Sequence, residues 1–247
     1  SPMGAYQAGL LMMSDALQYE EVRDIALTWF QEAINGGISQ AYMQIGYLYS
    51  EHTTFQYNGT TRNDAIALSW FLRGALQGDG GCMEQAALYF MQGYGTKRDI
   101  KRAVKLFEQA AAKGEAFSCM QLARMYENGD GVRVNKEKAI QWYLKAEEAG
   151  AVNGRYEAGR VTCDLAQQSL LLDGQKEEAI SLFQEATAYG YCIAYLELAD
   201  MAMREGNITS YRDYLKKGAQ AGDSSCKSAL IDWHKGKIKP YVDELQP

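Results

Sequence analysis

The stretch AIQWYLKAEEAG at residues 139–150 decides the fold, because its pattern of residue sizes recurs along the chain. Ala139 is followed three and four residues later by Trp142 and Tyr143, seven later by a second alanine and eleven later by Gly150. Such spacings place a large pair between two small residues on one face of an α-helix. The glycine then ends the helix by taking a left-handed conformation that other residues adopt only at a cost.

The same offsets occur five more times, and we call each copy helix B. The other copies begin at Ala26, Ala67, Ala103, Ala179 and Tyr211 and close at Gly37, Gly78, Gly114, Gly190 and Gly222. Each closing glycine is followed four positions later by a small residue that opens a second stripe: Ala41, Cys82, Ser118, Gly154, Ala194 and Cys226. Further residues of this stripe follow at intervals of four positions, which is the spacing of one face of an α-helix. Each unit therefore contains a second helix, A, before the next helix B. We expect Asp24, Asp64, Asp99 and Asn135 to cap four of the B helices.

Each pair of helices forms a hairpin that cannot bury its apolar stripe without a neighbouring hairpin. The sequence therefore predicts an all-α fold, a right-handed α-α superhelix (solenoid) of about six helical hairpins followed by a C-terminal capping helix. We expect a single array over residues 1–247, with hairpins at 4–37, 38–78, 79–114, 115–150, 151–190 and 191–222 and a cap at 223–247.

The unit at residues 123–150, ARMYENGDGVRVNKEKAIQWYLKAEEAG, resembles the Sel1-like repeat, a relative of the tetratricopeptide repeat. The positions that carry the resemblance are Tyr126, Gly129, Gly131, Val132, Lys138, Ala139, Trp142, Tyr143, Lys145, Ala146 and Gly150. The unit at 86–114 follows the same pattern, and the B helices at 26–37 and 67–78 keep it closely. The resemblance implies a right-handed α-solenoid that acts as an adaptor or scaffold for protein complexes.

Two units depart from the pattern. The unit at 151–190 lacks the Gly-x-Gly-Val turn and has a connection four residues longer before its helix B. The unit at 38–78 carries an insertion, SEHTTFQYNGTTRND at residues 50–64, which we expect to protrude as a loop. The chain opens with Ser-Pro-Met, which resembles the remains of a tag, and without a polar cap, so we expect the natural protein to extend further at this end.

Composition argues against several classes of function. The formal net charge of −6 and the pI near 5.1 disfavour a nucleic-acid partner, since its binders usually carry a basic domain or stripe. No apolar run approaches the ~18 residues of a membrane helix, so no transmembrane segment is expected. Only two histidines occur, His52 and His234, and nucleotide-binding and zinc-site motifs are absent. The sequence therefore predicts a protein that is not an enzyme, with no catalytic residue, metal ligand or cofactor.

The five cysteines all fall in or beside A helices, at Cys82, Cys119, Cys163, Cys192 and Cys226. Disulfides between A helices are not expected, because packed helix axes lie ~8–10 Å apart whereas the α carbons of a disulfide approach within about 7 Å. We therefore expect reduced cysteines in the core or along the groove. The compartment stays open between the cytoplasm and the periplasm.

The run KRDIKRAVK at residues 97–105 holds five basic residues. We expect them on the solvated face of their helix B, opposite Ala103, Leu106 and Phe107. A patch that binds an acidic partner is the alternative interpretation.

By analogy with tetratricopeptide grooves, the A helices should line the concave face of the array, where a partner would bind. Tyr, Arg and Met are enriched at interfaces because they offer contact area or bidentate pairing. The predicted partner-binding residues are Met43, Tyr47, Glu51, Glu84, Met91, Met120, Arg124, Glu127, Asn153, Tyr156, Arg160, Asp164, Asp200, Met203 and Arg204. Leu88, Phe117 and Leu196 share this face, with packing against the next A helix as their alternative role.

The repeats and the absence of catalytic clusters favour a non-enzymatic interaction scaffold or adaptor that binds a peptide or partner protein on its concave face. A bacterial regulator or a toxin-immunity protein is a more specific form of this hypothesis, since the resembled family has members with such roles. One alternative is a ligand-binding protein or hydrolytic enzyme that uses Glu84, Glu127 and Asp164. Another is a structural component of a cell-envelope assembly with the 50–64 insertion as its contact. Pairing of two copies into a homo-oligomer also stays open.

Overall fold

The computed structural model describes residues 1–16, 19–50, 63–172 and 175–237. Within these ranges the chain forms thirteen α-helices and no β-strand, which confirms the predicted all-α fold. The helices are α1 (Pro2–Ala16), α2 (Glu20–Asn35), α3 (Gln40–Tyr49), α4 (Asp64–Leu76), α5 (Gly80–Gln92), α6 (Ile100–Ala112), α7 (Ala116–Asn128), α8 (Lys136–Glu148), α9 (Gly154–Leu170), α10 (Lys176–Ala188), α11 (Ala194–Arg204), α12 (Ile208–Gln220) and α13 (Ser224–His234).

These helices belong to two compact units. The first comprises Ser1–Met125 and Gly129–Arg133, and the second comprises Tyr126–Asn128 and Val134–Pro247. Odd-numbered helices correspond to the predicted A helices and even-numbered helices to the B helices. A B helix packs against the A helices before and after it, as α4 does with α3 and α5 in the first unit and α12 does with α11 and α13 in the second. Each unit is thus built from stacked hairpins.

The second member of each predicted large pair lies at the centre of its hairpin. These side chains are at most 1% exposed: Phe30, Phe71, Phe107, Tyr143, Phe183 and Leu215. Full burial of one such side chain stabilises the fold by about 1.5–3 kcal/mol. The first member of each pair is only partly buried, because it lies at the side of the stripe rather than at its middle.

Small residues allow the close helix packing that the pattern predicts. A Cβ atom at Gly46 of α3 would overlap the Phe71 ring of α4. A Cβ atom at Gly74 would overlap Cys82 Sγ of α5. The side chains at these contacts therefore fit only because glycine supplies the missing volume.

The turn glycines behave as predicted. All six closing glycines, Gly37, Gly78, Gly114, Gly150, Gly190 and Gly222, have φ angles between 84° and 103°. In the Gly-x-Gly turn after α7, Gly129 caps the helix with φ 83°. A Cβ atom at Gly131 would overlap the side chain of Ile100, so this second glycine is required by close packing as well as by its backbone conformation.

The predicted helix caps are correct at two of four positions. The side chains of Asp99 and Asn135 accept hydrogen bonds from the backbone of Arg102 and Lys138, at 3.0 and 2.6 Å. Asp64 is the first residue of α4, and the cap is its neighbour Asn63, which accepts from two backbone amides.

The prediction for Asp24 is wrong, because α2 begins at Glu20 and Asp24 lies inside it. The residue before this helix, Tyr19, makes no side-chain cap.

The long connection of the fifth unit is largely helical. α9 has 17 residues, whereas the A helices α5 and α7 have 13, so the four additional residues extend the helix instead of forming a longer loop. The predicted capping helix is present as α13 and begins at the side-chain cap Asp223.

All five cysteines lie in the described part of the chain, where none forms a disulfide. Four are buried as predicted, and Cys192 is partly exposed. Burial raises the pKa of the Cys163 thiol to about 12, which keeps it in the protonated, unreactive form.

Candidate interaction surface

In the first unit, the predicted contact residues lie on α3, α5 and α7. Met43, Tyr47, Glu84, Met91 and Met120 are partly exposed, and Arg124 is exposed. Glu51 lies outside the described residues. Phe117 is also exposed, whereas Leu88 is partly buried.

Three polar side chains, those of Glu84, Ser118 and Tyr47, give this face of the first unit its electrostatic character. Ser118 Oγ donates a 2.8 Å hydrogen bond to Glu84 Oε2. Burial raises the pKa of Glu84, and this hydrogen bond opposes the rise by stabilising the carboxylate. Burial also raises the pKa of Tyr47 to about 12, with Glu84 adding to the effect, while its ring contacts Phe71 edge-on at 5.6 Å. The face therefore combines thioether and aromatic surface with one half-buried carboxylate.

In the second unit, three carboxylates surround Arg160 in one ionic network. Its Nη2 donates to both oxygens of Glu127, at 2.8 and 2.9 Å. Its Nε donates to Glu157 Oε2 at 2.9 Å, and its Nη1 donates to Asp164 Oδ2 at 3.4 Å. One guanidinium thus meets three carboxylates, which leaves the network with net negative charge.

The network holds its arginine in the charged form and in one position. Burial alone would lower the pKa of Arg160, but hydrogen bonds to Glu157 and Glu127 raise it above its ordinary value. Because three of its nitrogens are engaged by separate carboxylates, the guanidinium has little freedom to rotate.

A buried side chain of α8, Tyr143, also contacts this network. Tyr143, whose ring is buried at the centre of its hairpin, donates its hydroxyl proton to Glu127 Oε2 at 2.9 Å. Burial and this hydrogen bond raise the pKa of Tyr143 above its ordinary value. Sequence reasoning assigned Tyr143 to the core alone and did not single out Glu157. In the sequence, their ion pair is indicated only by the position of Glu157 three residues before Arg160, a spacing at which helical side chains are neighbours.

Two further predicted residues flank the network. Tyr156 is 46% exposed, and its ring packs against Tyr191 with centroids 5.3 Å apart. Asn153 is exposed immediately before α9. We name the set of Glu127, Tyr156, Glu157, Arg160 and Asp164 the Arg160 surface.

The remaining predicted residues lie on α11. Asp200 and Arg204 are exposed, and burial together with the charge of Glu197 raises the pKa of Asp200. Met203, by contrast, is buried in a core cluster that includes Leu215 and against which Trp233 packs. Met203 is therefore not exposed to a partner in this structure, and the side chains at the same distance after the turn glycine in two other units, Ser50 and Cys163, are buried as well.

The three carboxylates considered for a hydrolytic site each have another partner. Glu84 belongs to the first unit and is bound by Ser118. Glu127 and Asp164 both bind Arg160, so their charges are compensated by a cation rather than arranged as an acid and a base. In the described residues no group of three or more His, Cys, Asp and Glu side chains is placed to hold a metal ion.

The ends of the 50–64 insertion lie side by side in the first unit. The backbone N–H of Asn63 donates to the carbonyl of Tyr49 at 2.8 Å. Tyr89 Oη lies 2.5 Å from Ser50 Oγ and 3.2 Å from Asp64 Oδ1. Residues 51–62 of the predicted loop lie outside the described residues.

Comparisons with known proteins identify the repeats. The family model described as the Sel1 repeat matches residues 2–38, 39–79, 82–115 and 116–150. No curated protein matches the chain. None of the described helices is long and apolar enough to cross a membrane.

Solved structures share the fold at low sequence identity. A Sel1 repeat protein from Oxalobacter formigenes is 19% identical with a TM-score of 0.55, over 90% of this chain and 88% of that one. The protective antigen c5321 of uropathogenic Escherichia coli is 23% identical with a TM-score of 0.55, over 96% of this chain and 50% of that one. The chain therefore spans about half the length of c5321. The immunity protein Pa5087 from Pseudomonas aeruginosa is 17% identical over 77% of this chain and 68% of that one, with a TM-score of 0.36.

Proposed function

Since the chain belongs to the Sel1 repeat family, whose members generally mediate protein–protein interaction, we propose that it is a non-enzymatic interaction module that binds a protein partner through the Arg160 surface of its second unit. The observation that carries the proposal is the arrangement of Arg160 with its three carboxylates beside the exposed Tyr156.

The network supports recognition because its geometry exists before any partner arrives. A side chain that is already fixed loses little conformational entropy on binding, and ordering a flexible one costs about 0.5–1.5 kcal/mol. Tyr156 adds apolar contact area with a polar end, a combination enriched at binding hot spots. An anchored aromatic ring beside fixed charges therefore contributes affinity and also fixes the position in which the partner binds.

The charge of the surface indicates the chemistry of the partner. Glu127, Glu157 and Asp164 outnumber the single arginine, so a partner with Lys or Arg at its contact is favoured electrostatically. Glu127 is already engaged by Arg160 and Tyr143, whereas Glu157 and Asp164 each bind one nitrogen of Arg160 and keep acceptor capacity for a partner's cation.

A capture experiment tests the proposal. The wild-type chain and the variant Tyr156→Ala/Asp164→Lys are immobilised and exposed to a lysate of the source organism, with Asp213→Lys as a control that makes the same charge change at an exposed site on α12. We expect a protein that is retained by the wild type and the control and lost by the double variant. Equal retention by all three forms, after their melting temperatures are shown to agree, would place the contact elsewhere.

The neck of the 50–64 insertion is a second candidate contact. One hydrogen bond joins residues 49 and 63, so the two ends of the insertion lie side by side in the first unit. Retention of the partner by the double variant, combined with loss after residues 51–62 are replaced by a short Gly-Ser linker, would favour this alternative.

A further inference from the structure

A second surface, on the first unit, has the opposite charge. A groove of about 680 Å³ runs between the B helices α4 and α6 above α5. Its apolar lining includes Leu72 and Leu76 from α4, Met83 from α5 and Leu106 from α6. Leu76 is 85% exposed at the rim, whereas Met83 is buried at the floor. A single exposed leucine is ordinary, but here it continues the wall of an apolar groove.

Two cations lie along the α6 wall of this groove. Arg102 and Lys113 both line it and are separated by three turns of helical spacing, with Leu106 between them on the same face. The guanidinium of Arg102 stacks on the ring of Phe90, with its Cζ 4.2 Å from the ring centroid, so the charge is held in place.

These cations are not neutralised within the unit. In the described part of the chain neither Arg102 nor Lys113 forms an ion pair with a carboxylate. Lys101 and Lys105 add exposed positive charge to the same helix, whose single carboxylate, Glu108, is also exposed. Glu115 is the carboxylate near the far end, where it reaches Gly80 at the start of α5. The wall therefore carries a net positive charge next to apolar surface.

The equivalent groove one repeat earlier has a different character. It lies between α2 and α4, has a volume of about 480 Å³ and is lined by Gln31, Glu32 and Asn35 together with apolar residues. Among the described residues that line it there is no lysine or arginine. The combination of cations and apolar lining is thus a property of the α4–α6 groove and not a general consequence of stacking two B helices.

We propose that the α4–α6 groove binds an acidic amphipathic helix of a partner protein, which inserts apolar side chains between Leu76 and Leu106 and pairs its carboxylates with Arg102 and Lys113. Open grooves between two helices accept a third amphipathic helix through apolar residues at i, i+3, i+4 and i+7. Because the rim is open, as the exposure of Leu76 shows, the groove suits side chains of a larger partner better than an enclosed small ligand. This site goes beyond the proposed function, since it lies in the other unit and favours the opposite charge.

A designed peptide pair tests the proposal. The probe is a fluorescein-labelled helical peptide of about 18 residues with leucines on one face and glutamates beside them, long enough to form helix in water. The matched peptide has lysine in place of every glutamate. Fluorescence anisotropy measures the affinity of both for the full chain. We expect the acidic peptide to bind at least about tenfold more tightly than the basic one, because the basic peptide would place like charges against Arg102 and Lys113.

Point variants then locate the bound peptide. Leu76→Asp and Lys113→Glu should each weaken binding of the acidic peptide by about tenfold or more, since each adds a negative charge to the groove. Leu171→Asp is the matched control, because Leu171 is also 85% exposed but belongs to the second unit. Tyr156→Ala/Asp164→Lys should leave this affinity unchanged, which separates the two surfaces.

Equal affinity of the two peptides for the chain would overturn the proposal, and so would equal weakening by Leu76→Asp and Leu171→Asp. Displacement of the bound peptide by laurate, with laurate binding the chain more tightly than the peptide does, would overturn it as well. The last result would assign the groove to a fatty anion instead of a protein helix.

Discussion

Arg160 Nη2 donates to both carboxylate oxygens of Glu127, although 33 positions of sequence separate the two residues. The contact joins α9 to the last turn of α7 within the second unit, so one side chain links successive A helices. Tyr143 brings the B helix between them into the same network. The surface proposed to bind a partner is therefore part of what holds the repeats of this unit together.

Removal of the central cation should destabilise the second unit. Arg160→Leu leaves Glu127, Glu157 and Asp164 close together without a counter-charge, and we expect a loss of about 1–2 kcal/mol in the free energy of unfolding. Urea denaturation measures it. Arg155→Leu is the matched control, because the side chain of Arg155 is 60% exposed and pairs with Glu147 alone among the described residues, whereas that of Arg160 is 31% exposed. A loss in the control as large as in Arg160→Leu would contradict the account.

The hydroxyl group of Tyr143 should contribute measurably to stability. Tyr143→Phe keeps the buried ring but removes the donor to Glu127, so the free energy of unfolding should fall by about 0.5–1.5 kcal/mol. Tyr211→Phe is the control, since Tyr211 is also buried, on the apolar face of helix α12. The structure gives its hydroxyl group no hydrogen bond among the described residues. If both substitutions cost the same, the Tyr143–Glu127 bond is not what stabilises this junction.

Glu84 should make the first unit less stable as its carboxyl group ionises. Its pKa is raised in the folded state by burial, so the folded state holds this proton more tightly than the unfolded state does. Stability from this group is therefore present at acid pH and is lost as pH rises through the folded pKa.

Glu84→Gln, which still offers an acceptor to Ser118, should raise the melting temperature at pH 7 and have little effect at pH 4. Differential scanning calorimetry at both pH values checks this prediction. Glu108→Gln, at an exposed position of α6, serves as control. A lower melting temperature for Glu84→Gln at pH 7 would show that the Ser118 hydrogen bond outweighs burial.

Replacement of Gly74 in α4 should destabilise the fold as long as Cys82 is present beside it. Gly74→Ala places a Cβ atom against Cys82 Sγ, and such overpacking typically costs about 1–3 kcal/mol. Cys82→Ala combined with Gly74→Ala should recover part of that loss, because the overlapping sulfur is gone. Chemical denaturation of the two single variants and the double variant gives the coupling between the sites. Simple additivity of the two losses would mean that overlap with the sulfur is not the cause, since the Cβ atoms of Cys82 and Tyr42 also lie within 2.9 Å of the added Cβ atom.

Much of the fold could be predicted because it depends on local rules. The spacing of Ala139, the aromatic pair and Gly150 sets helix, buried face and turn within twelve residues. Asp24 was misassigned as a cap because α2 begins several residues earlier than the repeat register suggests, with an extended Tyr19 before it. The longer connection predicted before the fifth helix B is largely a continuation of α9, which runs to Leu170.

The site was less predictable because it depends on which side chains of different helices meet. The offsets from the turn glycines placed Arg160, Glu127 and Asp164 on A helices, but their joint hydrogen bonds require the spacing between α7 and α9, which no local pattern encodes. Met203 lies thirteen residues after Gly190 and is buried, as are Ser50 and Cys163 thirteen residues after Gly37 and Gly150, so this offset faces the core in these units.

Photocrosslinking tests the central claim most directly. A photoreactive phenylalanine analogue is placed at Gln167, which is exposed on α9 one turn beyond Asp164, or at Gln220, which is exposed on α12. Illumination in the source lysate should join the partner to position 167 and not to position 220, and Tyr156→Ala/Asp164→Lys should abolish the product. Crosslinking from position 220 alone, or a product at 167 that survives the double variant, would contradict binding at the Arg160 surface.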